Sequence, residues 1–223
     1  MKIKLSPSMA CADLGHLRRD IEILTDAGVD MLHWDLMDGV YVHNFAFSPD
    51  TIKACRPYSK LPFDVHLILS DPASFIPEIL DAGGDIISLQ FETTPHIFRA
   101  VEQIHKHGKK AGIVLTPITP LSQIKYVLKE VQMVTLMTVD LGFAGQKFIR
   151  SMLDKIRALR GMIAENGLDV DIQVDGQINF GSFDDVVKAG ANVLVVGTSG
   201  LFTVHEDLKT AVQIVRDKIN SIK

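Results

Sequence analysis

The chain has 223 residues, of which 47% are hydrophobic and 22% charged, with a formal net charge of −4 and two cysteines. That composition suits an ordinary globular protein. It offers no basic excess for nucleic acid, no apolar run near the roughly 18 residues of a membrane span, and too few thiols for a disulfide framework. Met1-Lys2-Ile3-Lys4-Leu5-Ser6-Pro7 passes directly into strand-like sequence. A cytoplasmic protein without a signal peptide, and with no nucleic-acid or membrane partner, is therefore expected. Cys11 and Cys55 are expected as structural thiols, with one disulfide as the alternative.

In chain order, short β-rich apolar runs fall at 5–9, 31–36, 63–69, 85–90, 110–115, 133–139, 171–175 and 193–197. Helical patterns lie between and after them, near 13–27, 48–56, 72–82, 95–107, 120–130, 148–166, 180–189 and 205–221. Eight strands, each followed by a helix, predict an α/β fold: one (β/α)8 TIM barrel over residues 1–223. An open doubly wound sheet is the alternative. Asp13 and Ser70-Asp71-Pro72 are N-cap signals for the first and third helices. Asp26-Ala27-Gly28, Asp81-Ala82-Gly83 and Lys188-Ala189-Gly190 repeat one joint, a helix ending on a glycine before the next strand.

Strand parity then selects the inward side chains. Residues two apart on a strand share a face, so His33 and Asp35 project together, while Leu32, Trp34 and Leu36 take the helix side. By the same alternation Ser6, Ser8, Asp64, His66, Ile68, Ser88, Gln90, Gln173 and Asp175 turn inward. Buried polar groups must be hydrogen-bonded or ligand-bound. At strand carboxyl ends they occupy the face where barrel enzymes carry their chemistry. His33, Asp35, His66 and Asp175 are the set best placed to converge. Mixed nitrogen and oxygen donors suit one divalent ion: zinc, manganese, cobalt or iron, with magnesium less favoured by histidine. A hydrogen-bonded polar cluster without an ion is the alternative.

Glycine marks a second constellation. Gly142-Phe143-Ala144-Gly145-Gln146 follows the sixth predicted strand, Gly176-Gln177 the seventh, and Gly197-Thr198-Ser199-Gly200 the eighth. Glycines let backbone amides approach an anion, and a short helix beginning near Thr198 would aim its amino end at one. Singly these are turns; together, at the loops where barrels hold phosphate, they predict a phosphate site.

With these motifs in view, the sequence resembles the ribulose-phosphate 3-epimerase family over nearly its full length. The resemblance is carried by Pro7-Ser8, His33-x-Asp35-x-Met37-Asp38-Gly39, Asp64-Val65-His66-Leu67, Met137-Thr138-Val139, the Gly142–Gln146 segment, Val174-Asp175-Gly176 and Gly197-Thr198-Ser199. It implies a metal-dependent epimerase that inverts C3 of a phosphorylated ketose, and a homo-oligomer. His33, Asp35, His66 and Asp175 are implied as metal ligands. Ser8, His66 and Asp175 are implied at the substrate, with Gly142, Phe143, Ala144, Gly145, Gly176, Gln177, Gly197, Thr198 and Ser199 around its phosphate. Inversion needs acid/base groups on both sides of the substrate plane. Asp35 and Asp175 fit these roles, and the family implies Asp35 as base and Asp175 as acid. A C3 hydrogen beside a C2 ketone leaves an enediolate, whose charge a divalent ion can offset. Met37 and Met137 match methionines beside the reacting carbons, where dry thioethers would exclude water; core filling is the alternative. Asp38 and Asp64 either support the site or shape their own surroundings.

Five departures from the family pattern affect the substrate end: Gln90 for histidine, Ile68 for methionine, Leu141 for proline, Tyr41-Val42-His43-Asn44 for Phe-Val-Pro-Asn, and Gln177 for glycine. Residues 137–202 resemble the allulose-6-phosphate 3-epimerase branch, notably in Met137-Thr138-Val139-Asp140 and Val196-Gly197-Thr198-Ser199-Gly200-Leu201-Phe202. D-Allulose 6-phosphate, converted to D-fructose 6-phosphate, is accordingly the leading expected substrate, and D-ribulose 5-phosphate, converted to D-xylulose 5-phosphate, the alternative. No inward lysine suits a Schiff-base lyase, and a non-catalytic sugar-phosphate-binding barrel is the remote alternative.

Overall fold

A computed structural model describes residues 2–143 and 145–222. In chain order it runs β1 (Lys4–Pro7), α1 (Leu17–Asp26), β2 (Leu32–Asp38), β3 (Phe45–Ala46), α2 (Pro49–Cys55), β4 (Phe63–Ile68), α3 (Ile76–Ala82), β5 (Ile86–Gln90) and α4 (Ile97–Lys106). It continues with β6 (Lys110–Leu115), β7 (Met133–Met137), α5 (Met152–Glu165), β8 (Asp171–Asp175), α6 (Phe183–Ala189), β9 (Val193–Val196) and α7 (Leu208–Asn220). The sheet order is β1-β9-β8-β7-β6-β5-β4-β2-β3, parallel except for β3 against β2. A parallel bridge between Ser8 and His33 joins the end of β1 to β2 and brings the two ends of the parallel set together. The fold is the expected (β/α)8 barrel rather than an open sheet.

Local chemistry explains the joints. Ser48 caps α2 by accepting from the Thr51 amide at 3.3 Å, with Pro49 in the first turn. Gly83 and Gly190 end α3 and α6 in left-handed backbone, as the repeated joint predicts. The principal apolar core lies between strands and helices, with Trp34 packed on Phe47 and Phe63 at centroid distances of 5.0 and 5.1 Å. Inside the barrel, Met31, Ile86, Met133 and Val193 form an apolar floor contributed by alternate strands. Above that floor the interior turns polar: Ser6, His33, Asp64, Ser88, Thr135 and Gln173 are all fully buried.

Several elements differ from expectation. Residues 120–130 form two short turns, Leu121–Ile124 and Leu128–Glu130, instead of an α-helix. Their bonds reach back three residues, as from Gln123 to Pro120 and from Glu130 to Val127, so the segment winds more tightly. A two-residue β3 is too short to show any period in sequence, yet it pairs Met37 with Ala46 and Asp38 with Phe45. Asp71 makes no side-chain cap; Pro72–Phe75 is a short tight turn ahead of α3. Cys11 and Cys55 are both free thiols. Among the described residues, no helix is long and apolar enough to cross a membrane.

Candidate active site

The polar interior is organised around two carboxylates, Asp64 and Asp35. Alternation on β2 and β4 and their register, which sets His33 beside Asp64 and Asp35 beside His66, place four polar side chains in one patch. Asp64, fully buried, sits 2.7 Å from His33 Nδ1 and accepts from Gln173 Nε2 at 2.7 Å and Ser88 Oγ at 2.9 Å. Thr135 Oγ1 donates to Gln173 Oε1 at 2.7 Å and so fixes that carboxamide. With His33 Nδ1 engaged below, its Nε2 points up the barrel, 3.1 Å from Asp35 Oδ1 and 3.7 Å from Asp175 Oδ2. His66 Nδ1 lies 3.3 Å from the same Asp35 oxygen, and Ser8 Oγ donates to Asp35 Oδ2 at 3.3 Å.

This crowding drives the ionisation of the two upper carboxyls apart. Burial would raise the Asp35 pKa, but the neighbouring His33 and His66 outweigh it and hold the group well below the usual carboxylate range. Burial lowers the His33 pKa, yet Asp35 and Asp64 pull it well above the ordinary imidazole value. Asp175 is pushed up to about 6 by burial and the Asp35 charge, against the opposing pull of His33 and His66. Two carboxyls with opposite shifts at one site are a physical signature of separate acid and base roles.

Above the cluster opens a cavity of about 690 Å³. Its wall includes Ser8, Asp35, Met37, Met137, Gly142, Phe143, Gly145, Asp175, Gly176, Gln177, Gly197, Thr198 and Ser199. These are the sequence-selected residues, apart from three groups. His33 and His66 lie buried beneath the wall. Asp38 faces away: its carboxylate accepts from the amides of Val40, Tyr41 and Ser70 and from the Ser70 hydroxyl, which shapes the loop after β2. Partial burial opposes those bonds, but they hold its pKa at about 2. Ala144 lies outside the described residues.

The glycine loops contribute to the wall of this cavity. Gly176 has φ +112°, and a Cβ there would come within 2.5 Å of Val139 Cγ2. Thr138 holds the same corner by donating its amide to the Asp175 carbonyl at 2.7 Å. Gln177, with φ +55°, is the one non-glycine residue with positive φ among the described residues. After β9 the short helix expected near Thr198 is present as one wide turn, Thr198–Phe202. Gly200 in that turn presses against the preceding loop, where an added Cβ would lie 2.2 Å from the Ile178 carbonyl oxygen. Gly200→Ala is expected to push the two loops apart, destabilise the fold by about 1–3 kcal/mol and raise KM more than it lowers kcat. Thermal unfolding and steady-state kinetics check this, and an unchanged KM would remove Gly200 from the argument.

Asn44 joins two loops at the mouth, and Gln146 braces one of them. Asn44 Nδ2 donates to the Gly142 carbonyl at 2.8 Å, tying the β2 loop to the loop after β7. Gln146 Nε2 donates to the carbonyls of Asp140 at 2.5 Å and Phe143 at 3.1 Å. Both residues stood inside motif segments, but nothing in their spacing showed that the two loops meet.

The residues present suit a metal ion. His33, Asp35, His66 and Asp175 each offer one donor atom, and all four atoms lie within 4.8 Å of one another. Two imidazoles and two carboxylates around one point match the donor preferences of borderline divalent ions. Asp64 below His33 supplies the outer hydrogen bond that metal-binding histidines generally make.

The chain is similar to known proteins in sequence and in fold. The model of the Ribulose-phosphate 3 epimerase family matches residues 4–202. The chain is 42% identical over 198 residues to the ribulose-phosphate 3-epimerase of Bacillus subtilis (strain 168), covering 88% of this chain and 91% of that one. It is also 42% identical over 215 residues to the ribulose-phosphate 3-epimerase of Methanocaldococcus jannaschii, covering 96% and 90% respectively. Among solved structures, orotidine 5'-phosphate decarboxylase from Pyrococcus horikoshii OT3 shares the fold, with a TM-score of 0.68 at 14% identity over 98% of this chain and 100% of that chain.

Proposed function

Because the chain belongs to the ribulose-phosphate 3-epimerase family, and is thereby a carbohydrate-phosphate epimerase and an isomerase, we propose that it interconverts D-ribulose 5-phosphate and D-xylulose 5-phosphate. The curated relatives favour this pentulose over D-allulose 6-phosphate, the substrate expected from residues 137–202. Local resemblance in the loops carried that expectation, whereas the similarity to ribulose-phosphate 3-epimerases extends over nearly the whole chain.

One observation carries the chemistry: Asp35 and Asp175 meet at one cavity wall from β2 and β8 with their ionisation driven in opposite directions. Asp35, low in pKa and beside the Ser8 hydroxyl, would take the C3 proton. Asp175, whose pKa is pushed up to about 6, would deliver a proton on the other side, and in the reverse direction the roles would exchange. His33, His66, Asp35 and Asp175 would hold one divalent ion, zinc, manganese, cobalt or iron before magnesium, which supplies Lewis acidity for the negative charge developing on the sugar oxygens. Met37 and Met137 line the cavity and would keep water from that charge. The amides near Gly142, Gly145, Gly176, Gly197, Thr198 and Ser199 would receive the phosphate.

The test is a comparison of kcat/KM for D-ribulose 5-phosphate and D-allulose 6-phosphate on metal-loaded protein, with C3 inversion followed directly. We expect the pentulose to be preferred by at least about tenfold, a difference of roughly 1.4 kcal/mol in transition-state binding. Preference for the hexulose would return the assignment to the allulose branch, and absence of solvent exchange at C3 with either sugar would remove the two-carboxylate mechanism.

A further inference from the structure

Beneath the cavity wall, a chain of hydrogen bonds of fixed direction runs from Glu92 to His66. Gln90 ends β5 and is fully buried. Its Oε1 lies 2.9 Å from His66 Nε2, while its Nε2 donates to Glu92 Oε2. The other Glu92 oxygen accepts from the Thr116 amide and hydroxyl, each at 2.9 Å, and from the Thr119 hydroxyl. Lys155 Nζ pins that turn by donating to the carbonyls of Thr116 at 2.8 Å and Pro117 at 3.3 Å.

The directions of these bonds are forced. An ionised carboxylate can only accept, so Glu92 requires the NH2 of Gln90 to face it. That leaves Gln90 Oε1, another acceptor, facing His66 Nε2, which must then carry a proton. When an ion displaces any proton from the other nitrogen, the lone pair of the neutral His66 is left on Nδ1, the nitrogen turned toward Asp35. We propose that Glu92 and Gln90 are positioning residues that set the tautomer of His66 and so present Nδ1 as a metal donor. The inference rests on the metal reading of this site and adds two residues to it. It also explains how the two imidazoles use opposite nitrogens: Asp64 engages Nδ1 of His33, and Gln90 engages Nε2 of His66.

Exchanging atoms of nearly equal shape provides the test. In Glu92→Gln the oxygen gripped by Thr116 and Thr119 remains an acceptor, so the new NH2 faces Gln90. Gln90 must then turn its own NH2 toward His66, which moves the imidazole proton to Nδ1. Zinc affinity, measured by competition with a chromophoric chelator, is expected to fall about 10- to 100-fold, with the thermal midpoint little changed. The double variant Q90E/E92Q restores the original direction, since the new amide donates to a carboxylate that again accepts from His66 Nε2. Its zinc affinity is expected to return to within about threefold of the parent protein. Wild-type affinity in Glu92→Gln would overturn the positioning role, and so would a double variant as weak as the single one. Failure of the parent protein to bind zinc or any other divalent ion would instead refute the metal reading beneath it. Imidazole nitrogen NMR on the zinc-loaded parent gives an independent readout: a protonated His66 Nε2 supports the chain, and a protonated Nδ1 refutes it.

Discussion

Asp175→Asn should abolish epimerisation and, at the same time, stabilise the metal-free protein. Loss of one positioned acid/base group costs about 10²–10⁴-fold in rate, and loss of a donor to the ion adds to it. Stability moves the other way because of the raised pKa. The Asp175 carboxyl keeps its proton up to about pH 6 in the fold, against 3.8 as its ordinary value. The fold therefore binds this proton more tightly than the unfolded chain does. Ionising the group inside the fold costs free energy that is absent below about pH 4, grows between pH 4 and 6, and is fully present above. Asparagine removes that cost, on the order of 1–3 kcal/mol at pH 8. Chelator-treated wild type and variant, melted at pH 8 and again near pH 4, should differ only at the higher pH. Asp35→Asn should also abolish inversion without this gain, because the Asp35 carboxylate is stabilised by its imidazole neighbours. Wild-type turnover in either variant would refute the two-carboxylate assignment.

Removing the metal should have an effect of similar size. Chelation is expected to reduce turnover to background, and a divalent ion with mixed nitrogen and oxygen preference should restore it. Binding should also protect the fold, by about 2.7 kcal/mol when the free ion stands at 100 times its Kd. The affinity should depend on pH in a defined direction. The ion must displace the His33 proton at neutral pH and below, and the Asp175 proton as well below about pH 6, so as acidity increases affinity should fall about tenfold per pH unit above pH 6 and more steeply below it. Calorimetric titration at pH 5, 6 and 7 in two buffers of different ionisation enthalpy would read both the affinity and the released proton. A slope that does not steepen below about pH 6 would argue against Asp175 as a donor.

The donor set was legible because a strand alternates with period two. His33 with Asp35, and Asp64 with His66, could be assigned to inward faces without coordinates, and Asp175 followed from the same rule. The helix-to-strand joints were legible for a related reason, since Gly28, Gly83 and Gly190 all carry the positive φ that their repeated setting demands. Asp38 resisted the same treatment. A strand-end aspartate beside a glycine looks alike whether it faces a metal or its own loop, and only the Ser70 amide and hydroxyl, far along the chain, decide for the loop. The segment 120–130 shows the limit of period in short elements, because buried Ile124, Val127 and Leu128 fit a helix and a pair of tighter turns equally well.

Sequence by itself determined the barrel, the four converging donors and the three glycine loops, because each is written in local periodicity or in a conformation few residues adopt. Tertiary structure decided how these parts act on one another. The opposite pKa shifts of Asp35 and Asp175, the clamp from Asn44 to Gly142, and the chain from Glu92 through Gln90 to His66 all depend on side chains brought together by barrel closure. Electrostatic coupling and hydrogen-bond direction depend on distances of a few ångströms between different strands. No spacing along a single strand encodes those distances.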